Sequence, residues 1–440
     1  MSNERESKQE EASEAALSRP YRSKQSAMAL IAQRAQLAGA PFGAMVEVAD
    51  RCNEACVHCY QIQGQRGELD TAEWKHIFDQ LAELGVMLLT ISGGEPTLRK
   101  DFLELVRYAR ELRFAVRIYS NALNITEAMA RELGALAVQE VQISLYSHRA
   151  ENHDAVTRVP GSFSRVESAT GFLRQAGVRV VLKSPLMQSN SVEYREYIQY
   201  VESLGADFSL DPKLKPREDG DPTPTRLGID KRTFLSVAAH TQLLERRAPS
   251  GDGPRKPCGA CKGNVHVEAN GDLHPCTLWN VTTGSARGGQ LREAWHQNPI
   301  ANQIRALTWD DLPSCRVCDL QRHCTRCFAE AEHLAGSALA PYAPACRTAR
   351  WRYELATGVE PEIDCEQDYC STEPLGPFCN AGEHRFRIEP GSNATGGRPT
   401  PERAWLGGRD STHMSPAQLV QIRRRKGAPL TPSSSPPSDP

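Results

Sequence analysis

Residues Arg51 to Tyr60 read R-C-N-E-A-C-V-H-C-Y, with Cys52, Cys56 and Cys59 at the spacing C-x3-C-x2-C. Three thiols on one short loop are a metal-binding set. A [4Fe–4S] cluster takes four ligands, so a trio leaves one iron open. An open position is what a catalytic metal centre keeps and a structural one closes. The competing arrangement is a zinc site completed by His58 or by a distant residue. The glycine step Gly93-Gly94-Glu95 that follows favours the cluster, because a closed zinc knot has no use for it.

Composition limits the remaining options. At 440 residues the chain exceeds one average domain. Its net charge of −2 gives no global basic field for nucleic acid or an acidic membrane. No apolar run reaches the roughly 18 residues of a membrane span. The N-terminus, S-N-E-R-E-S-K-Q-E-E, has no apolar signal core. A cytoplasmic protein is expected, and in a reducing compartment its 14 cysteines point to metal rather than disulfides.

Residues 1–40 read as a partly disordered extension, with a helix over 22–37. From Ala44 short apolar runs alternate with helical stretches. The strands are expected at Ala44–Ala49, Met87–Ser92, Phe114–Tyr119, Glu140–Leu145, Val178–Lys183 and Ala206–Asp211. The helices are expected at 71–84, 100–112, 126–134, 162–176, 191–204 and 231–246. This alternation implies parallel βαβ units. Six units fall short of a closed eight-fold barrel, so the α/β reading over 41–250 is a partial (β/α)6 TIM barrel, with a doubly wound sheet as the alternative. Sites of barrel folds lie at the C-terminal strand ends. The cysteine loop follows strand one, Gly93-Gly94-Glu95 strand two and Asn121 strand three, while Ser144, Lys183 and Asp211 end strands four to six. Lys183 and Asp211 shape the pocket or pair with each other. Residues 212–230 read as a Pro/Asp/Thr/Gly-rich connecting loop, placed to lie over a substrate.

The cysteine loop followed by Gly-Gly-Glu resembles the signature of the radical S-adenosylmethionine (radical SAM) superfamily. The resemblance implies that the open iron chelates S-adenosyl-L-methionine, whose reductive cleavage releases a 5′-deoxyadenosyl radical. It further implies that Tyr60 lies against the adenine and that Gly93 or Gly94 meets the amino group, with Glu95 nearby. Asn121 and Ser144 resemble the ribose contacts. The stretch H-D-A-V-T-R-V-P-G-S-F, residues 153–163, is similar to a family stretch whose arginine pairs with the carboxylate of S-adenosylmethionine, which implies that role for Arg158. Here Val159 stands where the family has glycine.

A second cysteine set begins with Cys258-x2-Cys261. The run V-H-V-E-A-N-G-D-L-H-P-C predicts a hairpin around Asn270-Gly271, ending at Cys276. Cys315, Cys318, Cys324, Cys327 and Cys346 follow. This pattern resembles the SPASM extension of radical SAM enzymes, here residues 251–352. The resemblance implies two auxiliary [4Fe–4S] clusters, one held by Cys258, Cys261, Cys276 and Cys327, the other by Cys315, Cys318, Cys324 and Cys346. That amounts to about twelve iron atoms per chain for three clusters. Two zinc knots are the alternative. The family usually separates the cysteines at the positions of Cys324 and Cys327 by three residues, and here there are two. Residues 353–440 read as a disordered Pro/Ser/Gly-rich tail, in which Cys365, Cys370 and Cys379 are surplus.

The expected function is radical modification of a ribosomally made peptide or protein, with a flavodoxin- or ferredoxin-like electron donor and no nucleic-acid or membrane partner. The sulfatase-maturating branch fits less well, because it carries an aspartate directly after the hairpin cysteine and this chain has Thr277. The alternatives are radical chemistry on a small molecule, in haem or cofactor biosynthesis, and a non-catalytic iron–sulfur scaffold or redox sensor.

Overall fold

A computed structural model describes residues 27–241 and 256–361. Eight strands make one sheet in the order β6-β5-β4-β3-β2-β1-β7-β8. They are β1 Gly43–Ala49, β2 Leu88–Gly93, β3 Ala115–Ser120, β4 Glu140–Ser144, β5 Val180–Pro185, β6 Asp207–Asp211, β7 Asn264–Val267 and β8 Leu273–His274. Strands β1 to β6 pair in parallel with their sequence neighbours. A doubly wound sheet reverses its order within the βαβ units; from β1 to β6 this one does not, so right-handed crossovers put the helices that join those strands on the same face. The result is the partial barrel.

The strands β3, β4 and β5 show that division. Val116 and Ile118, Val141 and Ile143, and Leu182 are buried in the core cluster beneath the helices. The alternate residues Arg117 and Tyr119, Gln142 and Ser144, and Lys183 are only partly covered and face the lumen. The helix Thr71–Glu83 illustrates the other layer. Asp70 accepts from the Glu73 N–H and Glu73 reaches back to the Asp70 N–H, a capping box that starts it. Trp74, Ile77, Phe78 and Leu81, spaced 3–4 residues apart, then bury one stripe.

The extension helix is Ala27–Leu37 and the barrel helices are Phe102–Glu111, Glu127–Ala135, Ser162–Gln175, Tyr194–Ser203 and Lys231–His240. Two features depart from expectation. Residues Ala150–Thr157, read only as a motif, form a helix. The predicted hairpin is not confined to the cysteine-rich region, since β7 pairs in parallel with β1 and extends the barrel sheet. Its turn uses Gly271 at φ 88°, a left-handed conformation glycine adopts without penalty.

The helix Ala343–Thr357 runs across residue 352. Residues 1–26, the end of the helix expected at 231–246, most of the tail, and Cys365, Cys370 and Cys379 lie outside the described residues. Among the described residues no helix is long and apolar enough to cross a membrane.

Candidate radical and auxiliary cluster sites

The cysteine loop starts from a distortion in β1. Between Glu47 and Ala49 the register against β2 slips by one residue. Such a bulge leaves a carbonyl outside the ladder. Arg99 takes it, donating from Nη1 to the Val48 carbonyl at 3.0 Å, and is held by Asp101 at 2.7–2.9 Å. The loop is then fixed from two sides. Gly94 N–H donates to the Ala49 carbonyl at 2.7 Å and Glu95 N–H to the Arg51 carbonyl at 2.9 Å. Opposite, Ala55 and Val57 N–H groups donate to Thr157 and Val156 carbonyls at 3.2 and 3.0 Å.

Gly93 and Gly94 earn their place against this loop. A Cβ on Gly93 would stand 2.3 Å from the Ala49 carbonyl oxygen, and one on Gly94 2.3 Å from that of Arg51. Their bareness therefore serves backbone-to-backbone packing within the chain. Glu95 is fully buried and works as a hub: it accepts from Thr97 N–H at 3.0 Å, Thr97 Oγ1 at 2.5 Å, Ser120 Oγ at 2.8 Å and Asn121 N–H at 2.7 Å. Every neighbour is a donor. Glu95→Gln puts an amide NH2 against them and is expected to cost about 3 kcal/mol, measured by urea unfolding. A loss below about 1 kcal/mol would contradict the hub.

Asn121 passes this order to the thiols, donating from Nδ2 to Asn53 Oδ1 at 2.7 Å and to Cys52 Sγ at 3.7 Å. Cys56 donates to Glu54 Oε2 at 3.2 Å and lies 3.6 Å from the Tyr146 hydroxyl. Ser144 also hydrogen-bonds that tyrosine. Cys59 receives Gln63 Nε2 at 4.0 Å. His58, the zinc alternative's ligand, lies edge-on to Tyr146 with ring centroids 4.8 Å apart.

Arg158 is exposed and closes the helix Ala150–Thr157 in a left-handed conformation, φ 60°. The rest of its motif is scaffold. Asp154 accepts from Gly161 N–H, Ser162 Oγ and Phe163 N–H at 2.6–2.9 Å, and His153 Nδ1 accepts from Tyr146 N–H at 3.1 Å.

Tyr60 packs against the apolar cluster of the cysteine-rich region and hydrogen-bonds Thr277. The 212–230 connector ties the same regions together. Glu218 pairs with Arg66 and accepts from Ile62 N–H at 3.2 Å, while Lys213 pairs with Glu330 at 2.6 Å. Around Arg66 also stand Asp50 and Glu268, with Glu47 beside them. Burial, then the Glu218 and Glu268 charges, push Glu47 up to about 8. Lys183 stands 4.0 Å over the Tyr119 ring. It makes no ion pair within 4 Å of Asp211.

The charge surroundings decide whether the thiols suit an iron–sulfur cluster. Burial pushes Cys52 up to about 11, and raises Cys56 and Cys59 above the usual thiol range. The charged groups acting most strongly on Cys52 and Cys56 are the carboxylates of Glu95 and Glu54 and the neighbouring thiol of Cys59. Those neighbours repel thiolates at Cys52 and Cys56, while Arg217 favours one at Cys59, so a bound metal centre would supply the positive charge that the first two lack. The donor set fits the group. No three His, Cys, Asp or Glu side chains among the described residues are gathered to hold a single metal ion.

The later cysteines fall into two groups. Cys258, Cys261 and Cys276 lie within electrostatic reach of one another, and Cys327 within reach of Cys258. Cys315, Cys318 and Cys324 do likewise, and Cys346 packs with Cys318 and Cys324 around Leu320, Ala349 and Tyr353.

This architecture belongs to a known class. The pattern of the radical SAM superfamily matches residues 46–201, and that of the iron–sulfur cluster-binding SPASM domain matches residues 258–325, together about half of the chain. The chain belongs to the radical SAM superfamily and carries a SPASM domain. It is an enzyme of that superfamily, and its cofactors are [4Fe–4S] clusters and S-adenosyl-L-methionine.

An AdoMet-dependent heme synthase of Methanosarcina barkeri is 26% identical over 325 residues, covering 67% of this chain and 93% of that protein. A PqqA peptide cyclase of Granulibacter bethesdensis is 26% identical over 351 residues, covering 75% and 93%. Streptococcus suis SuiB bound to precursor peptide SuiA shares the fold at a TM-score of 0.54 and 19% identity, covering 72% of this chain and 82% of SuiB.

Proposed function

We propose that this radical SAM enzyme modifies a ribosomally made peptide or protein. Cys52, Cys56 and Cys59 hold the radical cluster, and the two later groups hold auxiliary clusters, with Cys258, Cys261, Cys276 and Cys327 in one and Cys315, Cys318, Cys324 and Cys346 in the other. Tyr60, Gly93, Gly94, Glu95, Asn121, Ser144 and Arg158 form the S-adenosylmethionine site, Glu95 by fixing its neighbours. When bound, the cluster and S-adenosylmethionine supply a 5′-deoxyadenosyl radical that abstracts hydrogen from the substrate. The chain's own residues bind and orient: the Glu95 hub sets Asn121 and the glycine step, while Tyr146 and Asn121 position thiols. A flavodoxin- or ferredoxin-like protein supplies the electron.

The observation that supports a peptide most is the full complement of auxiliary thiols in two groups beside the cysteine loop, joined to the resemblance to PqqA peptide cyclases. Heme synthases are as similar, which gives the small-molecule reading its own footing. Anaerobic co-expression with short peptides encoded beside the gene separates the two. A loss of about two mass units per modified site is expected, as for a crosslink or oxidation. An unchanged peptide alongside continued 5′-deoxyadenosine formation would overturn the peptide reading in favour of a small molecule.

A further inference from the structure

Between Cys324 and Cys327 lies a cation without a counter-ion. Arg326 is 5% exposed. Its guanidinium stands over the Phe328 and Tyr342 rings, 5.6 and 5.8 Å from their centroids. Nη2 donates to the Ala338 carbonyl, and Nη1 donates to Cys315 Sγ at 3.8 Å. Nε is buried with no acceptor. Arg326 makes no ion pair among the described residues. The buried carboxylate nearby, Glu330, is taken by Lys213 at 2.6 Å and by the Tyr342 hydroxyl at 2.9 Å.

A buried unpaired guanidinium with a spare N–H is costly unless an anion completes the site. Four thiolates around an iron–sulfur core carry net negative charge, and the sulfurs accept hydrogen bonds. We propose that Arg326 is the internal counter-ion and hydrogen-bond donor of the auxiliary cluster on Cys315, Cys318, Cys324 and Cys346, and that it raises that cluster's reduction potential. This rests on the ligand grouping proposed above. Adding one electron makes the cluster more negative, so a cation and donor at its edge favour the reduced state. Lys213, which also stands 5.8 Å from the Tyr342 ring centroid, is neutralised by Glu330 and leaves Arg326 as the uncompensated charge.

Stepwise anaerobic reduction with dithionite, followed by electron paramagnetic resonance, tests this on the full-length protein. Iron and sulfide are counted in the same samples. Arg326→Met is expected to keep about twelve irons and to shift one cluster's one-electron equilibrium toward the oxidised form by at least about tenfold, about 59 mV. Arg326→Lys, which keeps the charge, is expected to shift it less. Should Arg326→Met shed iron, Arg326→Gln is read by the same criterion. Full iron with unmoved potentials overturns the proposal alone. A wild-type count near eight irons overturns the ligand grouping, and the proposal with it.

Discussion

Alanine at Cys56 is expected to cut 5′-deoxyadenosine formation by more than about a hundredfold, since loss even of a supporting residue around a metal ligand costs 10–100-fold. The thiol's polar contacts are Glu54 on the same loop and Tyr146, 90 residues away in sequence, each a single long sulfur contact, so folding survives its removal. With iron removed from both proteins, the variant should unfold within about 1 kcal/mol of wild type in urea, and as isolated it should lack about four irons. Unaltered 5′-deoxyadenosine formation would remove the cysteine loop from the chemistry. Alanine at Cys318 is the matched control: it should lower the iron count while sparing the loop that cleaves S-adenosylmethionine.

The second large effect is structural in origin. Gly93→Ala combines a backbone clash at 2.3 Å with a φ of 139°, which side chains rarely adopt. Strain and overpacking together should cost about 3–5 kcal/mol, measured by urea unfolding, with iron binding impaired because the displaced backbone is the start of the cysteine loop. Gly177→Ala provides the contrast. It has φ 76° but nothing within 4 Å of the added carbon, so strain alone leaves about 1 kcal/mol. Equal losses at both positions would show that close packing at Gly93 contributes nothing.

The barrel was legible because its signals are local. An apolar run, a break and an amphipathic stretch repeat six times, and each observed strand starts and ends within a residue or two of the expected one. What was not legible depends on distant neighbours. The hairpin's turn could be read from Asn270-Gly271, but the pairing of β7 with β1 joins residues more than 200 apart and leaves no local trace. The helix Ala150–Thr157 went unread because its hydrophobic face is short, and it is held by the Asp154 hydrogen bonds beyond its end. Tyr146 was missed although it lies two residues past Ser144, on the same side of the chain, the parity that should have flagged it. Arg326 looks like an ordinary charge until its burial is known. The glycine step was found by pattern, but its physical reason, packing on Ala49 and Arg51, needed the loop in place.

The pairing of β7 with β1 also has a consequence for synthesis. A nascent chain that ends before residue 264 has made all six barrel strands, yet β1 still presents an open edge of unpaired N–H and C=O groups. Closing that edge waits on a contact of very high sequence separation, which is slow to form. A barrel truncated near residue 250 is therefore prone to strand-to-strand aggregation, and exchange of cysteine-rich regions between relatives has to carry β7 and β8 with the barrel.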